Sequence, residues 1–187
     1  MITLDHNDPS FVTEKILQLC PKNSRILELG CGDGRNLRKL KEMGFDCLSG
    51  LDRDESKVAI ARAALGAAVP IECSDIRNLK LNEKYDVIFH VLVGIFLTPE
   101  DREELFKKLQ TYIRPGGYYL FEEIARDQAR KLGTAPYFYS KSEIAKLDNY
   151  FQKISVEEVG RIVNGQLMSG GVLYVGKNLG AKSSNSS

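Results

Sequence analysis

Three glycines at alternate positions, Gly30, Gly32 and Gly34, stand between Glu28-Leu29 and Arg35. Glycine adopts backbone conformations closed to other residues and lets a chain approach a ligand, while the amides that open a following helix face an anion. A short strand, Arg25 to Leu29, leads into this string, and Leu37, Leu40 and Met43 recur at helical spacing after it. The pattern suits a nucleotide-like ligand. A dinucleotide fingerprint of the form GxGxxG would require glycine at position 35, where Arg35 stands, so hydride chemistry is disfavoured. Asp52 closes the next strand, where a carboxylate accepts hydrogen bonds from both hydroxyls of a ribose. The alternative task for a strand-end acid, capping the next helix, falls to Asp54. The ligand is therefore expected to carry a free ribose diol.

These residues need a scaffold that brings strand ends together. Val12, Ile16, Leu19 and Cys20 share one face of a first helix, with Asp8 read as its cap, Pro9 at its first position and Pro21 as its stop. Strand, glycine turn and helix then make one βα unit. Cys47 to Asp52 and a helix carrying Val58, Ala61 and Leu65 up to Gly66 make a second, and Val69 to Cys73 form a third strand. Tyr85 to Val93 is almost continuously apolar, as a central parallel strand covered on both faces requires. Thr98-Pro99-Glu100-Asp101 opens a helix with Leu105, Phe106, Leu109, Tyr112 and Ile113 inward, and Arg114-Pro115-Gly116-Gly117 turns the chain into the strand Tyr118 to Ile124. Ser140 to Glu143 cap a short helix bearing Ile144 and Leu147. Two late strands, Phe151 to Val159 and Gln166 to Gly176, join through Asn164-Gly165 as a hairpin. The sum is a three-layer α/β sandwich whose mostly parallel seven-stranded sheet ends in an antiparallel hairpin, with ligands expected at the carboxyl ends of the strands. One domain is expected over residues 1–178, followed by a disordered polar tail, 179–187.

Composition narrows the classes of function. The 187 residues suit a single domain, and 26 Lys plus Arg against 25 Asp plus Glu leave a formal charge of +1, with no basic excess to hold a phosphate backbone. Nucleic acid is disfavoured as a partner. Cys20, Cys31, Cys47 and Cys73 form no CxxC pair and have no histidine cluster nearby, so no metal site is expected and reduced cytosolic thiols are. The polar, acidic start of the chain does not read as a secretory signal, and no run is long enough to cross a bilayer, so a soluble cytoplasmic protein with no membrane association is expected.

The string ELGCGDG, the LD at the second strand end, the SDI after the third strand and the RPGG before the fifth together resemble class I S-adenosylmethionine-dependent methyltransferases, over about residues 25–124. The resemblance implies a Rossmann-like methyltransferase fold and S-adenosylmethionine as cofactor. It implies that the Gly30 to Gly34 loop, Cys31 included, packs against the methionine part and Asp52 binds the ribose. Asp75 with the Ile76 amide would read adenine, with Arg53 flanking the base. GCGDGRN, YDVIFHVLVGIFL, IRPGGYYL and FYSKSEIAKLDNYFQKISVEEVGR resemble, more narrowly, the tellurite-resistance type of small methyltransferase. That family is linked to methylation of oxyanions and small soft nucleophiles and has a His-Arg pair near the start of its final hairpin; Gly160-Arg161 lies near that place, so only Arg161 corresponds.

Transfer of a methyl group from a sulfonium is an in-line displacement that discharges a cation, so positioning and exclusion of water matter more than acid or base help. An acceptor with a proton to lose would need a base, and His90 is the candidate. The other reading of His90 is a satisfied histidine inside a buried strand, or one presenting only its backbone carbonyl to the cofactor's amine. Glu28 either orders the cofactor's amino group or caps neighbouring amides as a buried acid. The acceptor pocket is expected from Val91, Gly94, Ile95 and Phe96, from Glu122 and Glu123, from Tyr137 and Tyr139, and from Arg161. Enzymes of this superfamily that methylate nucleic-acid amino groups carry Asn/Asp-Pro-Pro-aromatic after the fourth strand; Phe89-His90-Val91-Leu92 stands here. A small-molecule or oxyanion methyltransferase is the reading, against a protein methyltransferase or a non-catalytic module that binds S-adenosylmethionine or S-adenosylhomocysteine.

Overall fold

Alternation of apolar runs and helical stripes builds one sheet with helices on both faces. The structure, a computed structural model, describes residues 2–5, 10–124, 141–163 and 166–180. Along the chain run β1 (Ile2–Asp5), α1 (Phe11–Leu19), β2 (Ile26–Leu29), α2 (Arg35–Glu42), β3 (Leu48–Asp52), α3 (Glu55–Leu65), β4 (Ile71–Cys73) and β5 (Tyr85–Val91). There follow α4 (Pro99–Tyr112), β6 (Ile113–Ile124), α5 (Lys141–Lys146), β7 (Gln152–Val163) and β8 (Gln166–Lys177). The sheet order is β1-β7-β8-β6-β5-β2-β3-β4. Strands β2 to β6 are parallel, and β8 runs antiparallel to both β6 and β7.

The expected sandwich and closing hairpin are present, with one addition. β1 forms an eighth strand, parallel to β7 over Val159 to Ile162. Ile2-Thr3-Leu4-Asp5 alternates apolar and polar residues, but so short a run carries no signal until a partner edge is in place. The first helix also begins later than its sequence suggests: Ser10 occupies the cap position and Phe11 the first turn, while residues 8 and 9 lie outside the described ones. The cause is tertiary. The Ser10 N–H donates to Asn36 Oδ1 at 3.0 Å and the Phe11 N–H to Glu122 Oε2 at 2.9 Å, so distant side chains satisfy the amides that a local cap would otherwise take. The Arg114 to Gly117 turn is a bulge inside β6, between the pairs Tyr85↔Ile113 and Val87↔Tyr118, with Gly116 at φ +85°. Asn164-Gly165 and residues 181–187 lie outside the described residues.

Side-chain alternation sorts the sheet into two cores. Ile26, Val87, Phe89 and Leu120 face α1, α2 and α3, whereas Leu27, Ile88, Tyr119 and Phe121 face α4 and α5. The chain winds outward from β2 to β4, then returns to add β5 and β6 on the other side, so the order reverses between β2 and β5. A crevice opens there at the carboxyl edge. Among the described residues, no helix is long and apolar enough to cross a membrane.

Candidate functional site

The bend after β2 requires its glycines. Gly30, Gly32 and Gly34 have φ of +67°, +55° and +79°, a region disfavoured for residues with a Cβ. Each faces a different neighbour. A methyl group on Gly30 would lie 2.4 Å from Val93 Cγ2, and one on Gly34 would lie 2.8 Å from Leu65 Cδ1, so the first admits the segment after β5 and the second admits α3. A methyl group on Gly32 would meet nothing nearer than Lys57 Cδ at 4.0 Å and would project into the crevice.

Asp52, half-buried at the end of β3, closes this bend. Its Oδ2 accepts from the Gly32 N–H at 2.8 Å and its Oδ1 from the Asp54 N–H at 2.9 Å. Asp54 caps α3, taking the Ser56 N–H at 3.0 Å and the Lys57 N–H at 3.3 Å. A carboxylate offers about four acceptor directions, so Asp52 keeps lone pairs for a diol. The crevice beside it has a volume of about 740 Å³, within the range of small-ligand pockets. Glu28, Gly30, Cys31, Gly32, Asp52, Arg53, Asp75 and Ile76 all line it. Gly34 does not; it packs against α3.

Buried groups on the sheet's α1 side explain Glu28. Its side chain is 1% exposed, Oε1 accepts from Asn36 Nδ2 at 2.7 Å, and Oε2 has no partner among the described residues. Burial pushes its carboxyl up to about 8, partly offset by the Asn36 hydrogen bond. An orphaned, buried oxygen on the crevice floor is a site for a donor such as an ammonium group. The Cys31 thiol is also pushed up, first by burial and then by Glu28 and Asp52, and sits against Gly50 as a small packing group rather than a nucleophile. Asp75 is held below the usual carboxylate range, chiefly by the Arg77 guanidinium, which grasps both its oxygens.

At the other end, Val91, Ile95 and Phe96 line the crevice as expected, joined by Leu92, Val93 and Leu97. His90 does not. It is fully buried on the α4 side, its ring stacked on Phe121 with centroids 5.4 Å apart and Nε2 2.8 Å from the Tyr119 hydroxyl. Strand alternation turns its side chain away from the opening, so of the two readings of His90 the geometry matches the satisfied histidine inside a buried strand rather than the base. Glu122, Glu123 and Gly94 are likewise absent from the lining. Glu122 holds the start of α1, and Glu123 Oε1 accepts from the amides of Val93 and Gly94 at 3.0 and 2.6 Å. Arg161 stands in β7 opposite Leu4 and Met168; its side chain, like Tyr137 and Tyr139, lies outside the described residues. Lys57 and Ile60, on the first turns of α3, also line the crevice, and their spacing after Asp54 was the available signal. Leu92, the one non-glycine residue with positive φ (+57°) among those described, had none.

Comparison with known proteins agrees with this geometry. A family model described as a methyltransferase domain matches residues 26–117. "Hemagglutinin 1" of Eikenella corrodens is 34% identical over 59% of this chain and 37% of its own length. A probable S-adenosyl-L-methionine-dependent methyltransferase TehB of Haemophilus influenzae is 31% identical over 57% of this chain and 36% of its own. A carboxy-S-adenosyl-L-methionine synthase of Shewanella loihica is 31% identical over 54% and 44%. The chain thus spans less than half the length of these relatives. The crystal structure of TehB from Haemophilus influenzae superposes with a TM-score of 0.74 at 17% identity, covering 92% of this chain and 63% of that one. The methyltransferase-domain model thus covers the segment that carries the glycine bend and Asp52, and the chain resembles class I S-adenosylmethionine-dependent methyltransferases in sequence and in fold.

Proposed function

We propose that this protein binds S-adenosylmethionine in the crevice and transfers its methyl group to a small soluble acceptor, a small molecule or an oxyanion. The observation that carries the reading is the hydrogen bond from the Gly32 amide to Asp52 Oδ2, 2.8 Å long, which joins the glycine bend and the strand-end carboxylate at one edge. When bound, the cofactor supplies an activated methyl on a sulfonium, whose transfer discharges a cation. In this reading Asp52 grips the ribose diol, and Asp75 and the Ile76 amide read the base beside Arg53. The bare face of Gly32 admits the ligand, and the orphaned Glu28 oxygen accepts from its ammonium. Val91, Ile95 and Leu97 form an apolar wall that excludes water, with Phe96, 52% exposed, at its rim.

No side chain described in the crevice is a histidine, so the reading calls for acceptors that are already nucleophilic, for which orientation suffices. The near-zero net charge and the sequence after β5 favour small acceptors over nucleic acid. The test is a radiolabelled methyl-transfer screen of the whole protein against selenite, tellurite and a library of small thiols, amines and carboxylates. Label in a small product is the expected result. Silence throughout, with S-adenosylhomocysteine bound tightly, would favour a binding module, and label only in added protein would favour a protein methyltransferase.

A further inference from the structure

Behind the segment from Val93 to Leu97 lie buried polar groups that the proposed reaction leaves without a task. Glu123 is 1% exposed, His90 0% and Arg102 2%. Glu123 Oε1 accepts from the Val93 N–H at 3.0 Å and the Gly94 N–H at 2.6 Å, and His90 Nδ1 stands 3.1 Å from the same oxygen. From α4, Arg102 Nη1 donates to the Gly94 carbonyl at 3.1 Å, while its Nη2 pairs with Glu143 of α5. Gly94 is therefore held at both its N–H and its C=O by buried charged side chains from two different elements.

A surface loop needs no such anchor, because its amides can face water. Burying a carboxylate and a guanidinium is unfavourable by several kcal/mol each unless charge-assisted hydrogen bonds offset it. Here those bonds go to the backbone of a crevice wall. The wall is also held against local preference: Leu92, just before it, sits at φ +57°, with its N–H on the Glu122 carbonyl at 2.9 Å. And the wall abuts the glycine bend, since Val93 Cγ2 occupies the place of any Cβ on Gly30.

The order of strands along the edge locates the effect. Asp75 follows β4, Asp52 ends β3, the glycine bend follows β2 and Val93 follows β5, in the sheet order β5-β2-β3-β4. A ligand with its base near Asp75 and its ribose on Asp52 brings its thioether and amino-acid part to the bend and the Val93 wall. We infer that Glu123 is a positioning residue: with His90 and Arg102 it seats the Val93–Leu97 wall against Gly30, and so sets the fit of the thioether and amino-acid part of the ligand while leaving the nucleoside part alone. This rests on the crevice being the S-adenosylmethionine site.

The test compares two probes, adenosine and S-adenosylhomocysteine, by calorimetry on the full chain. Glu123→Leu removes the acceptor from both amides and is expected to weaken S-adenosylhomocysteine by about tenfold or more while adenosine changes by less than about twofold. Glu123→Gln keeps a carbonyl oxygen toward the two amides and is expected to restore S-adenosylhomocysteine to within about threefold of the wild type. Should Glu123→Leu fail to fold, Arg102→Met, which releases the Gly94 carbonyl and the pair with Glu143 but leaves Glu123 on the two amides, is expected to show the same split in the same direction. Equal losses on both probes, or no loss on either, would overturn the positioning role. A wild-type protein that binds neither probe overturns the reading of the crevice itself, and this inference with it.

Discussion

The two ends of the crevice are built by different means. At the β2–β3 end, backbone geometry does most of the work: three positive-φ glycines and one strand-end carboxylate, which takes one amide two residues on and another, that of Gly32, 20 residues back. At the β5–β6 end, an ordinary-looking segment is held by side chains about 30 residues off in sequence, Glu123 on the Val93 and Gly94 amides. The first end presents polar groups to a ligand; the second presents apolar ones and hides its polar groups behind the wall. An end that must bind the same nucleoside in any acceptor context can be built from a compact local motif. The apolar end is built from residues that other folding demands also constrain.

The sharpest break in this comparison is at the contact where the ends meet. Gly30→Ala places a Cβ 2.4 Å from Val93 Cγ2 at a φ of +67°, and strain plus overpacking should destabilise the fold by about 2 to 4 kcal/mol in urea denaturation. Adding Val93→Ala should recover at least about 1 kcal/mol of that, as a coupling energy in a double-mutant cycle. Strict additivity would mean that the two ends do not touch.

Glu28 gives the next largest effect, and it depends on pH. Its carboxyl is raised in the folded protein, from 4.5 to about 8, so the folded state holds a proton that the unfolded chain has already released. The penalty is absent below 4.5, grows as pH rises toward 8 and then levels off. Glu28→Gln, which imitates the protonated acid, is expected to match the wild type in urea midpoint near pH 4.5 and to exceed it by on the order of a few kcal/mol above pH 8. Parallel pH profiles for the two proteins would show that Glu28 ionises normally.

The smallest effect tests the wall's far boundary. α4 begins at a reciprocal capping box, Thr98 Oγ1 on the Asp101 N–H at 3.1 Å and Asp101 Oδ2 on the Thr98 N–H at 3.3 Å. Thr98→Ala should lower stability by about 1 kcal/mol, read from the thermal midpoint, with S-adenosylhomocysteine affinity unchanged.

The same contrast explains how much could be read from the sequence. Asp54 as a cap, the Thr98 box and the glycine bend are local patterns, and each appears where its residues indicate. The place of Asp52 beside the crevice, with Asp54 rather than Asp52 capping α3, was also legible in the chain. The place of His90 was not, since a strand buried on both faces gives no sign of which face opens on the crevice. Nor was the start of α1, because its amides are satisfied by Asn36 and Glu122, 26 and 111 residues away. Glu122 and Glu123, read as pocket acids, hold amides instead; an acid after a strand looks the same whether it meets a ligand or a turn. β1 became a strand only because β7 offers it an edge.

Everything turns on whether an adenosyl ligand lies across the glycine bend and Asp52. Calorimetric titration of S-adenosylhomocysteine into the wild type and Asp52→Ala tests this most directly. Loss of two charge-assisted hydrogen bonds to the diol predicts a binding deficit of about 2 to 3 kcal/mol, or about 30- to 150-fold. Affinity in Asp52→Ala equal to that of the wild type would contradict the account.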